Sequence, residues 1–176
     1  MKYVLLLRGI NVGTSIRIAM KELKLWLEEI NLKKIVTCLN SGNVIFESEL
    51  NAKELTEKVD TIIKIKCKKH VPVLIKSSSE IISISKSIPE DWRNDETQQT
   101  YVAYLFDEVA DENLLNDLPI KKEYVDIYYK DKAIIWNIKR QYYNKSQITK
   151  LVNHSAYEYM TTRNVNTARK LAELCM

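Results

Sequence analysis

The feature that most constrains the fold is the order in which two hydrophobic periodicities alternate over the first 76 residues. Residues 3–7 form a continuous apolar run that suits a central strand. Met20, Leu23, Trp26, Leu27 and Ile30 then recur at helical spacing, which predicts an amphipathic helix over residues 19–30. Asn31 stands just past it, where a left-handed cap is expected. Residues 34–39 read as a β-branched strand. Asn40, Ser41, Gly42 and Asn43 give a turn signal, and residues 44–47 read as the return strand of a hairpin. Leu55, Val59, Ile62 and Ile63 mark a second helix over residues 52–66, and residues 71–76 read as a fourth strand. The order β-α-β-β-α-β is the ferredoxin-like split βαβ unit.

Residues 77–86 read as a short helix, and residues 87–99 as a polar connection. The order then repeats. Strands are expected at 101–106, 124–129 and 133–138, and a short acidic helix at 111–118. A helix capped by Ser146 over 146–153, a short last strand at 157–161 and a closing helix at 164–174 follow. The expected fold class is α+β: two ferredoxin-like subdomains in one compact chain. The first covers residues 1–86 with its trailing helix, and the second covers 100–176 with its C-terminal helix. The repeat is one of topology, without a matching repeat of sequence.

A split βαβ sheet alternates strand direction. The end of the first strand, the start of the first helix, the hairpin turn and the link into the fourth strand therefore share one edge. That edge collects Arg8, Asn11, Asn40, Ser41, Asn43, Lys66, Lys68 and Lys69, with Arg17 on the connecting loop and Gly9, Gly13 and Gly42 supplying backbone freedom. An arginine fork and a helix N-terminus both favour an anion. The reading is binding of a small anionic ligand, phosphate- or carboxylate-bearing, with nucleotides among the candidates. The structural alternative is that these residues only build turns. Arg163, Asn164, Asn166 and Thr167 form a second polar cluster, read either as helix capping or as another anion-facing helix start with an arginine.

Other chemistry finds weaker support. Cys67 and His70 have C-x-x-H spacing with no second pair, so no metal is expected, and no cofactor motif is present. The two histidines, His70 and His154, lack a nucleophile partner. The edge has no evident general acid or base, so whether the chain is an enzyme stays open. Net charge is +4, from 27 basic and 23 acidic residues. That permits a nucleic-acid partner without demanding one, and the RNA-recognition signature is absent. Tyr128, Tyr129, Tyr142 and Tyr143 near Lys139 and Arg140 are the candidate base-stacking residues. A structural or partner-binding role is the remaining alternative, with oligomeric state open. Three widely spaced cysteines, no apolar run near ~20 residues and an N-terminal run too short for a signal peptide lead to the expectation of a cytoplasmic protein without a membrane partner.

Three stretches in order resemble one family: LLRGINVG, NSGNVIFES, and TTRNVNT followed by KLAEL. They are similar to the bacterial family catalogued as domain of unknown function 1697, along essentially the whole chain. The resemblance implies small α+β proteins with ferredoxin-like subdomains and no assigned activity. Its polar motifs carry over as Arg8, Gly9, Asn11, Gly13, Ser41, Gly42 and Asn43, and as Arg163, Asn164, Asn166 and Thr167. The chain departs from the pattern at Thr14, where the family repeats its glycine, and at Val165, where the family carries tryptophan. Lys145 and Ser146 invert the family's Ser-Lys order.

Overall fold

A computed structural model describes residues 1–13 and 15–176; Thr14 lies outside the described residues. The strands are β1 (Lys2–Leu7), β2 (Lys33–Cys38), β3 (Asn43–Glu47), β4 (Val73–Ser77), β5 (Gln98–Leu105), β6 (Asp126–Lys130), β7 (Ala133–Lys139) and β8 (Met160–Asn164). The helices are α1 (Met20–Glu29), α2 (Ala52–Cys67), α3 (Ser78–Ser87), α4 (Leu114–Asp117), α5 (Tyr143–Ser146) and α6 (Val165–Cys175). The strands form two four-stranded antiparallel sheets, ordered β2-β3-β1-β4 and β6-β7-β5-β8. Each sheet places its first and third strands at the centre, the order a ferredoxin-like unit requires. The fold is α+β with two subdomains, as the periodicities predict.

Two compact units result: Met1–Ile82 with Leu171–Met176, and Ser83–Lys170. Residues 171–176, which element order assigns to the second subdomain, group with the first unit. They are drawn to the first because α6 ends beside β1, where Lys2 Nζ donates to the Cys175 carbonyl at 3.0 Å.

In the first unit, Tyr3, Leu5 and Leu7 of β1 and Val44 and Phe46 of β3 meet Leu23 and Leu27 of α1 and Leu55, Val59 and Ile63 of α2. Tyr3 stacks on Phe46 with ring centroids 6.0 Å apart. Burying each such aliphatic side chain contributes about 1.5–3 kcal/mol. Val4 and Leu6, on the opposite face of β1, are fully buried as well. Helix α2 begins in a capping box: the Asn51 side chain accepts from the Glu54 amide, and Glu54 accepts from the Asn51 amide. Helix α1 ends before Asn31, whose φ of 64° is the left-handed cap expected there.

In the second unit, Ala103, Leu105, Ile134, Trp136 and Ile138 pack with Leu118, Val125, Ile148, Leu151 and Met160. Here local structure departs from periodicity at three places. The expected acidic helix at 111–118 shrinks to α4, because Asp111 accepts from the Asn113 amide in a turn at one end and Pro119 forces Leu118 to be extended at the other. The expected helix at 146–153 becomes α5 followed by a 3-10 helix over Ile148–Asn153, because Gln147 between them is left-handed at φ 59°. Ser146 closes α5, donating to the Tyr143 carbonyl and accepting from the Ile148 amide. The last strand is also later than residues 157–161. Residues 155–159 form a 3-10 turn, and Thr161–Asn164 pair with β5 as part of β8.

Candidate functional site

The first-unit edge assembles as its topology requires. The Leu7 amide donates to the Gly42 carbonyl at 2.9 Å, and the Arg8 amide donates to the Pro72 carbonyl at 3.1 Å. The end of β1 therefore touches both the hairpin turn and the link from α2 to β4. Asn11 completes the edge. Its side-chain amide nitrogen donates to the Ile18 carbonyl at 2.8 Å and the Asn40 carbonyl at 2.7 Å. Its side-chain oxygen accepts from the Ile18 amide at 2.9 Å. One asparagine thus joins the loop, the entry to α1 and the hairpin turn. Its φ of 57° lies in the left-handed region that asparagine tolerates.

The hairpin has its own clamp. Asn43 is fully buried, and its amide donates to the Cys38 carbonyl at 3.0 Å and to the Ser41 hydroxyl at 2.9 Å. Gly42 has φ 74°, and a Cβ there would meet Leu7 and Ile10. Arg8 is half-buried at the end of β1. Arg17 is exposed and donates to the Gly13 carbonyl at 2.8 Å. Helix α1 starts from Ala19, which has no side-chain acceptor to offer the amides of its first turn. The only ionisable side chains in residues 8–18 and 40–43 are Arg8 and Arg17. These two segments can hold charge and donate hydrogen bonds, and their sequence contains no proton-transfer pair.

The second polar cluster belongs to the second unit. Arg163 lies on β8 and is 8% exposed. Its guanidinium donates to the Thr161 hydroxyl and the Thr162 carbonyl, each at 2.9 Å. Burial lowers its pKa from 12.5 to about 10. Asn164 accepts from the Thr167 amide at 2.9 Å and caps α6. Asn166 is exposed in the first turn of that helix.

The aromatic candidates have structural partners. The Tyr128 hydroxyl donates to the Ser87 carbonyl and the Tyr129 hydroxyl to the Ala110 carbonyl. Tyr142 packs on Tyr124 at 5.4 Å between centroids. His70 lies 3.7 Å from Asp60. Among the described residues no group of three or more His, Cys, Asp or Glu side chains is placed to hold a metal. Among the same residues no helix is long and apolar enough to cross a membrane.

Sequence reasoning missed a cleft of about 530 Å³ in the second unit. Gln98, Asp126, Asn137 and Lys139 form its floor, and register puts them on one face of the sheet. Asn137 pairs with Asp126 and Thr100, and Lys139 with Gln98. The segment before β5, carrying Asp91, Trp92 and Glu96, forms a wall. Asp95 folds that segment by accepting from the Thr97 amide and hydroxyl and the Gln98 amide, bonds that hold its carboxyl below the ordinary range. The available sequence signal was Asn137, a lone amide inside an otherwise apolar strand.

The fold is similar to the structure of a conserved bacterial protein from Streptococcus pneumoniae, with a TM-score of 0.86 and 25% identity, covering 99% of this chain and 98% of that one. No curated protein matches the chain. The family model described as a protein of unknown function, DUF1697, matches residues 1–136, which include the Arg8 loop and the hairpin clamp, and the chain belongs to that family.

Proposed function

We propose that the edge built from residues 8–13, 15–18 and 40–43 binds a small anionic ligand bearing phosphate or carboxylate, with nucleotides as the first class to test. The observation that carries this reading is the Asn11 clamp. Its three bonds to Ile18 and Asn40 hold the loop, the entry to α1 and the hairpin in one arrangement. A loop ordered before binding lowers the entropic cost of capturing a ligand. Arg8 and Arg17 then supply positive charge beside a helix start without a side-chain cap. In this reading Asn11 and Asn43 position the site, while Arg8 and Ser41 face the ligand. Arg8, Asn11, Ser41 and Asn43 offer charge and hydrogen bonds and no acid–base pair, which favours binding as the activity to test.

Burial weighs against a nucleic-acid module that stacks bases on the first sheet. Every side chain from Tyr3 to Leu7 is buried, which leaves the centre of that sheet no exposed aromatic.

Thermal unfolding with inorganic phosphate, nucleoside mono-, di- and triphosphates and small carboxylates tests the proposal. A ligand at about 100 times its Kd stabilises the native state by about 2.7 kcal/mol. The wild-type chain should show that shift with at least one of these anions, and Arg8→Ala should lose most of it. No shift with any anion, or equal shifts in both proteins, overturns the reading.

A further inference from the structure

We infer that the cleft on the second sheet is a binding site for a small zwitterion of the amino-acid class. Its amine would lie beside Asp126 and the Asn137 side-chain oxygen, and its carboxylate toward Lys139 and Arg140. The inference is independent of the Arg8 edge, because every residue involved belongs to the second unit.

The argument starts from Asn137, which lines the cleft and is only 6% exposed. Backbone groups of Arg93 determine which way its amide faces. The Thr100 hydroxyl donates to the Arg93 carbonyl at 2.7 Å, so toward Asn137 it acts as an acceptor. The Gln98 side-chain oxygen accepts from the Arg93 amide at 3.2 Å, while its nitrogen donates to the Asp91 carbonyl at 3.0 Å. Gln98 is therefore also an acceptor toward Asn137. The Asn137 nitrogen donates to both, at 2.7 Å to Thr100. This arrangement leaves its side-chain oxygen as the remaining polar atom, and among the described residues that oxygen accepts no hydrogen bond. The oxygen is the polar atom this mostly buried side chain leaves open to the cleft, where a donor from an occupant would pair with it.

The charges around it call for a dipolar occupant. Asp126 lies directly across from Asn137, and Asp91 and Glu96 are on the wall, while Lys139 stands opposite Gln98 two residues further along β7 and joins Arg140 as the positive set. Arg140 is at the rim, with its Nε donating to the Asp95 carbonyl. Its two terminal nitrogens make no bond among the described residues, so the fork is pre-set for a carboxylate. An occupant of a single charge sign would be repelled by one of these two sets, whereas a zwitterion satisfies both. Trp92 supplies an apolar wall and is braced by Tyr128 at 5.7 Å between centroids. The volume of about 530 Å³ falls within the range of small-molecule sites.

The test follows the Asn137 side-chain amide and Trp92 indole resonances of the isotope-labelled full chain. Titrants are the standard L-amino acids, their decarboxylated amines and their deaminated acids. At least one amino acid should move both resonances saturably at or below millimolar concentration. Its amine and its acid should bind at least about tenfold more weakly, the order expected for one lost charge-assisted contact. Asp126→Asn and Arg140→Gln should each weaken binding by about the same factor. Both positions are exposed, and an unchanged backbone spectrum will confirm their folds. The inference is overturned if no amino acid moves these resonances. It is also overturned if the amine or the acid alone binds as tightly, or if both variants bind as well as wild type.

Discussion

A Cβ built on Gly42 would lie 2.7 Å from the Leu7 Cβ, while the Leu7 amide donates to the Gly42 carbonyl at 2.9 Å. The hairpin turn and the end of β1 approach this closely because residue 42 has no side chain. Its φ of 74° adds a second requirement for glycine. Gly42→Ala should therefore destabilise the protein by about 2–4 kcal/mol, combining left-handed strain with overpacking. Gly9→Ala, which has φ 68° but open space around the added methyl, should cost only about 1 kcal/mol. Urea denaturation of both variants checks the difference.

Asn11 serves the same edge through its side chain. Asn11→Gly keeps the left-handed backbone accessible and removes the three side-chain bonds to Ile18 and Asn40. It should cost about 1–3 kcal/mol. Hydrogen exchange should show faster exchange at the Ile18 amide, whose acceptor is lost, with α2 little changed. Asn11→Ala should cost about a further 1 kcal/mol, because alanine also meets left-handed strain.

Glu80 couples stability to acid. Burial alone would raise its pKa. The Ser77 hydroxyl and amide together with Lys76 outweigh that effect and hold the carboxyl below its ordinary 4.5. A carboxyl lowered in the folded state stabilises above its unfolded value, and that contribution disappears as pH falls through the folded value. Glu80→Gln should be less stable than wild type by about 1 kcal/mol at neutral pH, after allowance for solvent screening. The gap should close as pH falls below 4.5. Denaturation midpoints of both proteins across the acid range measure it.

Cys175 sets the alkaline counterpart. Burial raises its thiol from 9.0 to about 11, against an opposing pull from Lys2. The unfolded chain ionises first, so this contribution is complete below 9.0 and is lost between 9.0 and about 11. Wild type should lose about 2–3 kcal/mol relative to Cys175→Val across that window. Cys38 and Cys175 are each 5% exposed, whereas Cys67 is half-buried. Iodoacetamide at about pH 8 should therefore label Cys67 first and the other two only on unfolding, as mass spectrometry would show.

The elements that sequence determined are those whose signals are local. The apolar run of β1, the helical spacing of Leu55, Val59, Ile62 and Ile63, and the turn at residues 40–43 each follow from side-chain periodicity or backbone preference. The order of those elements carried both sheet topologies, and with them the meeting of Arg8, Asn11 and the hairpin turn on one edge. Tertiary structure decided what the polar side chains do there. Asn11 and Asn43 look alike in sequence to surface turn residues, yet one joins three segments and the other is fully buried beneath the hairpin. Thr162 and Arg163 fall between the expected last strand and the closing helix, but β5 offered an unpaired edge, and the ladder hydrogen bonds drew them with Asn164 into β8. The cleft around Asn137 lay furthest from the sequence signal. Its floor comes from three strands in register, and its wall from a segment folded by the Asp95 turn. Periodicity describes each residue relative to its neighbours along the chain, whereas a binding surface is made by residues that only strand register and loop closure bring together.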